Sequence, residues 1–217
     1  MVNMVPAEKR AYSSTLREEH AAQTRERVLR AASACFTENG YAGTSLAQIA
    51  KRAGVSVDTV QATGPKRDIL LGAFEVEFAG SETKELLEGD NPFADALAAE
   101  TPSAMLAALT DATIDTVARI RGLWWAFRGA AAADPAVAQI LAELLSRRRR
   151  DYLVVVELVE SRGLTVADVD AVVDEAQLVV TPETYTHFVD DFGWSEQRYR
   201  RWAQERIAAV VLGSTVG

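Results

Sequence analysis

The chain is poor in the residues that clamp small or secreted folds. One cysteine in 217 residues, Cys35, excludes an internal disulfide. Two histidines, His20 and His187, stand far apart and make no cluster with metal-ligand spacing, so no metal is expected. No run approaches the roughly 18 uncharged apolar residues that a membrane span needs. The first twenty residues lack the apolar centre of a signal peptide. These absences predict a soluble cytoplasmic protein without membrane contact or cofactor, whose stability rests on its core. With 48% apolar residues the chain has the material for that core.

A net charge of -8 speaks at first against nucleic acid, because DNA binding depends on cations that displace counterions from phosphates. The charge is unevenly spread, however. Residues 1–71 carry ten Lys and Arg against seven Asp and Glu, while residues 72–217 carry thirteen against twenty-four. A basic head on an acidic body is what such asymmetry describes.

Periodicity is helical nearly throughout. Residues 1–20 show no apolar stripe and read as a flexible arm. From Thr24 the residues Val28, Ala31, Ala32, Cys35 and Phe36 share one face, with Gly40 as the stop. Ser45 with Gln48 has the capping-box pattern for a second helix over about 45–53, and Ser56 caps a third over about 57–63, ended by Gly64-Pro65. A fourth helix is expected over about 66–87, then a loose stretch over 81–102. Further helices are expected over about 103–120, 122–132, 135–161, 166–181, 182–191 and 195–212.

Ala50, Gly54 and Val60, with Ile49, Ala53 and Val55, have the spacing of a helix-turn-helix over about 45–64. A small residue stands at the crossing, a glycine in the turn, and apolar residues pin the second helix to the first. A plain pair of core helices joined by a glycine turn has the same spacing. The whole stretch from Thr24 to Phe74 resembles the N-terminal signature of TetR-type transcriptional regulators. The resemblance rests on Thr24-Arg25, Phe36, Gly40-Tyr41, Thr44-Ser45, Ile49-Ala50, Ala53-Gly54-Val55-Ser56 and Thr59. It implies an all-α protein: a three-helix DNA-binding domain over 21–71 and a larger ligand-binding and dimerisation domain over 72–217. It implies a homodimer on a palindromic operator, most often a repressor released by a small molecule.

Family members usually have Tyr at the place of Gln61, an aromatic at that of Gly64 and Lys at that of Arg67. The Tyr and the Lys commonly touch phosphates. Arg67 can keep that role, whereas Gln61 offers an amide suited to adenine. Helix starts bind anions, which nominates Thr44, Ser45 and Ser56 for phosphates. Val57, Asp58, Gln61 and Ala62 are candidates for base reading, Thr59 for either, and Lys66, Arg67 and Arg25 or Arg27 for further phosphate contacts.

In the body, Met105, Trp124, Trp125, Phe127 and Arg128 are candidates for a ligand pocket, with core packing as the alternative. Leu178, Val179, Val180, Ile207, Val210, Val211 and Leu212 give two helices enough apolar surface for a four-helix dimer interface. The run 147–150 of four arginines turns around more than one face of a helix and reads as a solvated surface beside Glu143 and Asp151. Cys35, on the apolar face, is a packing residue. A small helical enzyme and a helical protein-interaction module are the competing functions; no nucleophile elbow, phosphate loop or paired-carboxylate motif supports an enzyme.

Overall fold

The computed structural model describes residues 7–79, 93–213 and 215–216. Among these residues ten α-helices run in the order α1 (Ala7–Gly43), α2 (Leu46–Ala53), α3 (Val57–Thr63), α4 (Lys66–Ala79), α5 (Ala94–Leu97), α6 (Pro102–Ala133), α7 (Pro135–Glu160), α8 (Val169–Val179), α9 (Pro182–Tyr185) and α10 (Glu196–Leu212). A π-helical turn, Thr186–Asp191, follows α9, and a two-residue antiparallel bridge joins Thr165–Val166 to Thr215–Val216. The architecture is all-α. Among the described residues no helix is long and apolar enough to cross a membrane.

Helix boundaries follow local chemistry. Ser45 accepts a hydrogen bond from the Gln48 amide while the Gln48 side chain accepts one from the Ser45 amide, closing the capping box. Gly54, with φ 66°, ends α2 in the left-handed conformation that a Cβ disfavours. Thr101-Pro102, Asp134-Pro135 and Thr181-Pro182 each place a capping oxygen before a proline at the first helical position, where the missing N–H costs nothing.

Three expectations change. First, α1 begins at Ala7, so much of the stretch read as an arm is helix, and only residues 1–6 of it lie outside the described residues. Ala, Glu, Arg and Leu favour helix whether or not they form an apolar stripe, and the stripe was the signal used. Second, the helices expected over 103–120 and 122–132 are one, the 32-residue α6, about 48 Å long. Gly122 does not break it: a Cβ there would lie 2.5 Å from Cγ2 of Thr37, so the glycine lets α1 approach α6. Third, the expected extension of α4 to residue 87 and most of the loose stretch fall on residues 80–92, outside the described residues.

Two apolar cores lie among the described residues. One joins α1 to α4 through Leu29, Phe36, Ile49, Val60 and Leu70 and continues without interruption into Ile120, Leu123 and Phe127 of α6 and Val137 and Leu141 of α7. It therefore crosses the boundary drawn at residue 71. The second lies among α5, the first half of α6, the end of α7, α8 and α10. There Tyr199 is fully buried and donates its hydroxyl to the carbonyl of Val179 at 2.8 Å, tying α10 to α8. Phe78, on α4, packs against both cores.

Candidate nucleic-acid interface and the cavity behind it

The interface is built on α2 and α3. Val60 is the buried residue of α3, anchored against Ile49, Ala50 and Ala53, and this turns the rest of the helix outward. Val57, Asp58, Gln61 and Ala62 are exposed and Thr59 is half-buried, so the positions nominated for base reading lie on the solvent side of one short helix. Ser56 caps that helix by accepting from the Thr59 amide at 3.1 Å, and its hydroxyl lies 2.8 Å from that of Thr59. Ser45 is exposed at the start of α2.

Other nominated residues have structural work. Thr44 is 2% exposed, and its hydroxyl lies 2.9 Å from the carbonyl of Cys35 and 2.8 Å from that of Gly40, where it closes the end of α1. Its hydroxyl is thus turned inward, away from solvent. Gly40, with φ 68° and ψ 173°, is the kink that brings these groups together. Arg25 donates to the carbonyl of Thr63 at 2.7 Å, so α1 grips the last turn of α3 and fixes its direction. Lys66 is half-buried with its ammonium 4.4 Å from the centre of the Tyr41 ring, and burial lowers its affinity for a proton. Arg67 is exposed with one ion pair, at 3.6 Å, to Asp68. Arg52 crosses from α2 to both carboxylate oxygens of Glu38 on α1 at 2.6 and 2.8 Å, and this hydrogen bonding holds the Glu38 carboxyl below its ordinary range.

Thr44→Val is expected to cost about 1 kcal/mol of stability by removing a buried hydroxyl from the carbonyls of Gly40 and Cys35, of which the second keeps the side-chain amide of Asn39 at 3.1 Å. Urea unfolding reads that loss. The salt slope of DNA binding should not change, and a slope shallower by one counterion would return Thr44 to the phosphate set.

Behind the head, α4 enters the body and forms one wall of a cavity of about 170 Å³. Phe74, Glu75 and Phe78 contribute from α4, Trp124 from α6, and Arg147, Arg148, Asp151 and Tyr152 from α7. Val172, Val173 and Ala176 of α8 and Ile207 and Val211 of α10 close it with apolar surface. Glu75 and Arg147 pair across the wall at 3.0 Å, joining α4 to α7. Arg119 adds a second tie by donating to the carbonyl of Glu77 at 3.0 Å.

Of the five residues proposed for the pocket, only Trp124 lines it. Met105 and Phe127 are fully buried core residues, Phe127 against Phe74 at a ring distance of 5.8 Å. Trp125 points away and is 47% exposed, and Arg128 is exposed and pairs with Glu183 at 3.7 Å. One turn of α6 carries all three aromatics, and a 3.6-residue period must send neighbours to different faces.

The proposed interface residues are also redistributed. Val179, Val180, Ile207 and Val211 are buried inside one chain, and the last three line the cavity. Val210 and Leu212 are half-buried, whereas Leu178 stands 70% exposed. The four arginines are not a solvated face: Arg147 pairs with Glu75, Arg148 donates to the carbonyls of Gln177 and Val180, and Arg149 holds Asp170 and Asp174 of α8. Only Arg150 of the run is exposed. The missed cavity residues carried a signal, since Arg147 and Asp151, and Arg148 and Tyr152, are four apart at the polar edge of an apolar helix.

Residues 28–60 match the family described as bacterial regulatory proteins, tetR family. No curated protein sequence matches the chain. In fold it is similar to a transcriptional regulator from Mesorhizobium loti MAFF303099 assigned to the TetR family, at 20% identity and TM-score 0.70, over 90% of this chain and 98% of that one. It is similar to FadR from Bacillus subtilis, crystallised with stearoyl-CoA, at 20% identity and TM-score 0.65, over 86% and 97% of the two chains. A transcriptional regulator from Saccharomonospora viridis, crystallised with choline, gives 17% identity and TM-score 0.64 over 85% and 95%.

Proposed function

We infer that this DNA-binding transcriptional regulator of the TetR type is a cytoplasmic repressor that holds a palindromic operator as a homodimer and leaves it when a small molecule fills the body cavity. One arrangement carries the reading: the helix that presents Val57, Asp58, Gln61 and Ala62 leads through Gly64-Pro65 directly into α4, and α4 supplies Phe74, Glu75 and Phe78 to the cavity wall. A molecule in the cavity therefore touches the element that sets the position of the head. It can shift that position only through different affinities for the bound and released states. The occupants of the two regulators named above support a small-molecule ligand for this fold.

Ser45, Ser56 and Arg67 are proposed as phosphate contacts, and Val57, Asp58, Gln61 and Ala62 as base readers. Selection of bound sequences from a random duplex pool tests the function. The expected result is an imperfect palindrome, because two-fold protein symmetry presents two equivalent reading helices. Retardation of that duplex in a gel should fall away at high salt. Failure to enrich any sequence would leave the helical interaction module as the better reading.

The homodimer is proposed through the outward sides of α8 and α10, with Leu178 on that side of α8. Sedimentation at micromolar concentration should show a dimer. Leu178→Glu should raise its dissociation constant about tenfold or more by placing a charge in a buried contact. A wild-type monomer, or a dimer indifferent to this change, would remove α8 from the interface.

A further inference from the structure

Accepting that the body cavity is the ligand site, we propose that its ligand is an amine: an apolar, aromatic-compatible body carrying one basic nitrogen, held by the Asp151 carboxylate. The proposal rests on which polar groups of the cavity wall are already occupied. Arg147 is bound to Glu75 at 3.0 Å, and the Glu75 side chain is 12% exposed. Arg148 donates to the carbonyl of Val180 at 2.6 Å and to that of Gln177 at 3.3 Å. The hydroxyls of Thr110 and Thr113 donate to carbonyls of their own helix at 2.7 Å, which leaves only lone pairs for a ligand. Asp151 differs from all of these. It lines the cavity and accepts no hydrogen bond and joins no ion pair among the described residues. Burial raises its carboxyl above the ordinary range, against the opposing pull of Arg147, Arg150 and Arg148.

An acidic ligand would have to share Arg147 with Glu75, or Arg148 with the carbonyls of Gln177 and Val180, and in either place would lie in the same cavity as the unpaired Asp151 carboxylate, whose like charge opposes it. A protonated amine disturbs neither. It gives Asp151 the charge-assisted hydrogen bond it lacks, and the rings of Phe74 and Phe78 in the same wall offer π-faces to a cation, whereas Trp124 and Tyr152 already carry Arg128 and Arg148 at 6.0 and 5.6 Å. The rest of the lining is aliphatic and suits an apolar body.

Three probes with one body and different heads separate the possibilities: phenylbutylamine, phenylbutanol and phenylbutyrate, titrated calorimetrically into the full-length protein at neutral pH. Phenylbutylamine should bind about tenfold or more tightly than phenylbutanol, and phenylbutyrate more weakly than either. In Asp151→Asn the ratio of amine to alcohol affinity should fall to about one; because the ratio is taken within one variant, a general loss of stability does not enter. Tightest binding of phenylbutyrate, or an amine preference that survives in Asp151→Asn, overturns the proposal while the cavity remains the ligand site. Equal binding of amine and alcohol to the wild type does the same. If none of the three binds, the amine proposal and the cavity as ligand site fall together.

Discussion

Phe127→Ala is expected to lower the stability of the whole chain by about 3–5 kcal/mol, a large part of what a natural protein has. Phe127 is fully buried in the core that runs from the head into α6, edge-on to Phe74 and beside Trp124. Its removal leaves a cavity where α1, α4 and α6 meet, and neighbours locked in helices collapse into it poorly. Urea unfolding followed by helix content should show one transition at a lower midpoint with an unchanged slope. DNA affinity should fall with it under conditions that bring the variant near its midpoint. A pocket residue would behave otherwise, with ligand affinity changed and the unfolding midpoint almost unmoved; that result would return Phe127 to the pocket.

The second large effect separates positioning from reading on the DNA face. Gln61→Ala should cost about 1–3 kcal/mol on the best operator, far less on a site already changed at the contacted base, with the salt slope nearly untouched. Arg67→Ala should weaken all duplexes alike and flatten the salt dependence by about one counterion. Both side chains are exposed, and among the described residues Arg67 has the 3.6 Å pair with Asp68 to give up. Uniform loss with a shallower slope in Gln61→Ala would assign Gln61 to phosphate and move base reading to Val57, Asp58 and Ala62.

The head was legible because its signals are local. A capping box spans four residues, a left-handed glycine one, and a buried valine in a seven-residue helix is set by its period. Thr44 was misplaced because a cap-like residue just before a helix has two possible partners, and only the kink at Gly40 brings the carbonyls of Cys35 and Gly40 to its hydroxyl. In the body, apolar periodicity marked Val179, Val180, Ile207 and Val211, read as a dimer interface, and these are buried within one chain, whereas Leu178, marked with them, is exposed. Periodicity cannot say whether an apolar face meets a second chain or encloses a cavity, since both remove it from water; hence Val180, Ile207 and Val211 line the cavity. Charge failed as a guide in the same place. Four successive arginines look like surface, yet the packing of α7 against α4 and α8 supplies Glu75, Asp170 and Asp174 from distances of 21 residues or more along the chain.

The uninterrupted core between head and body bears on how this chain can be recombined with others of its fold. A chimaera cut after residue 71 would expose the sides of Ile120, Leu123 and Phe127 that face α1 and α4, and would leave the transplanted head without its floor. Gly122 sharpens the constraint, because any head joined to this body must present a side chain as small and as placed as Thr37 against α6. The exchangeable unit is therefore discontinuous in sequence: the first 79 residues together with the stretch from about Ile120 to Leu141. Specificity for an operator can be grafted by changing the outward residues of α3 alone, whereas moving an entire reading head requires that its seat travel with it.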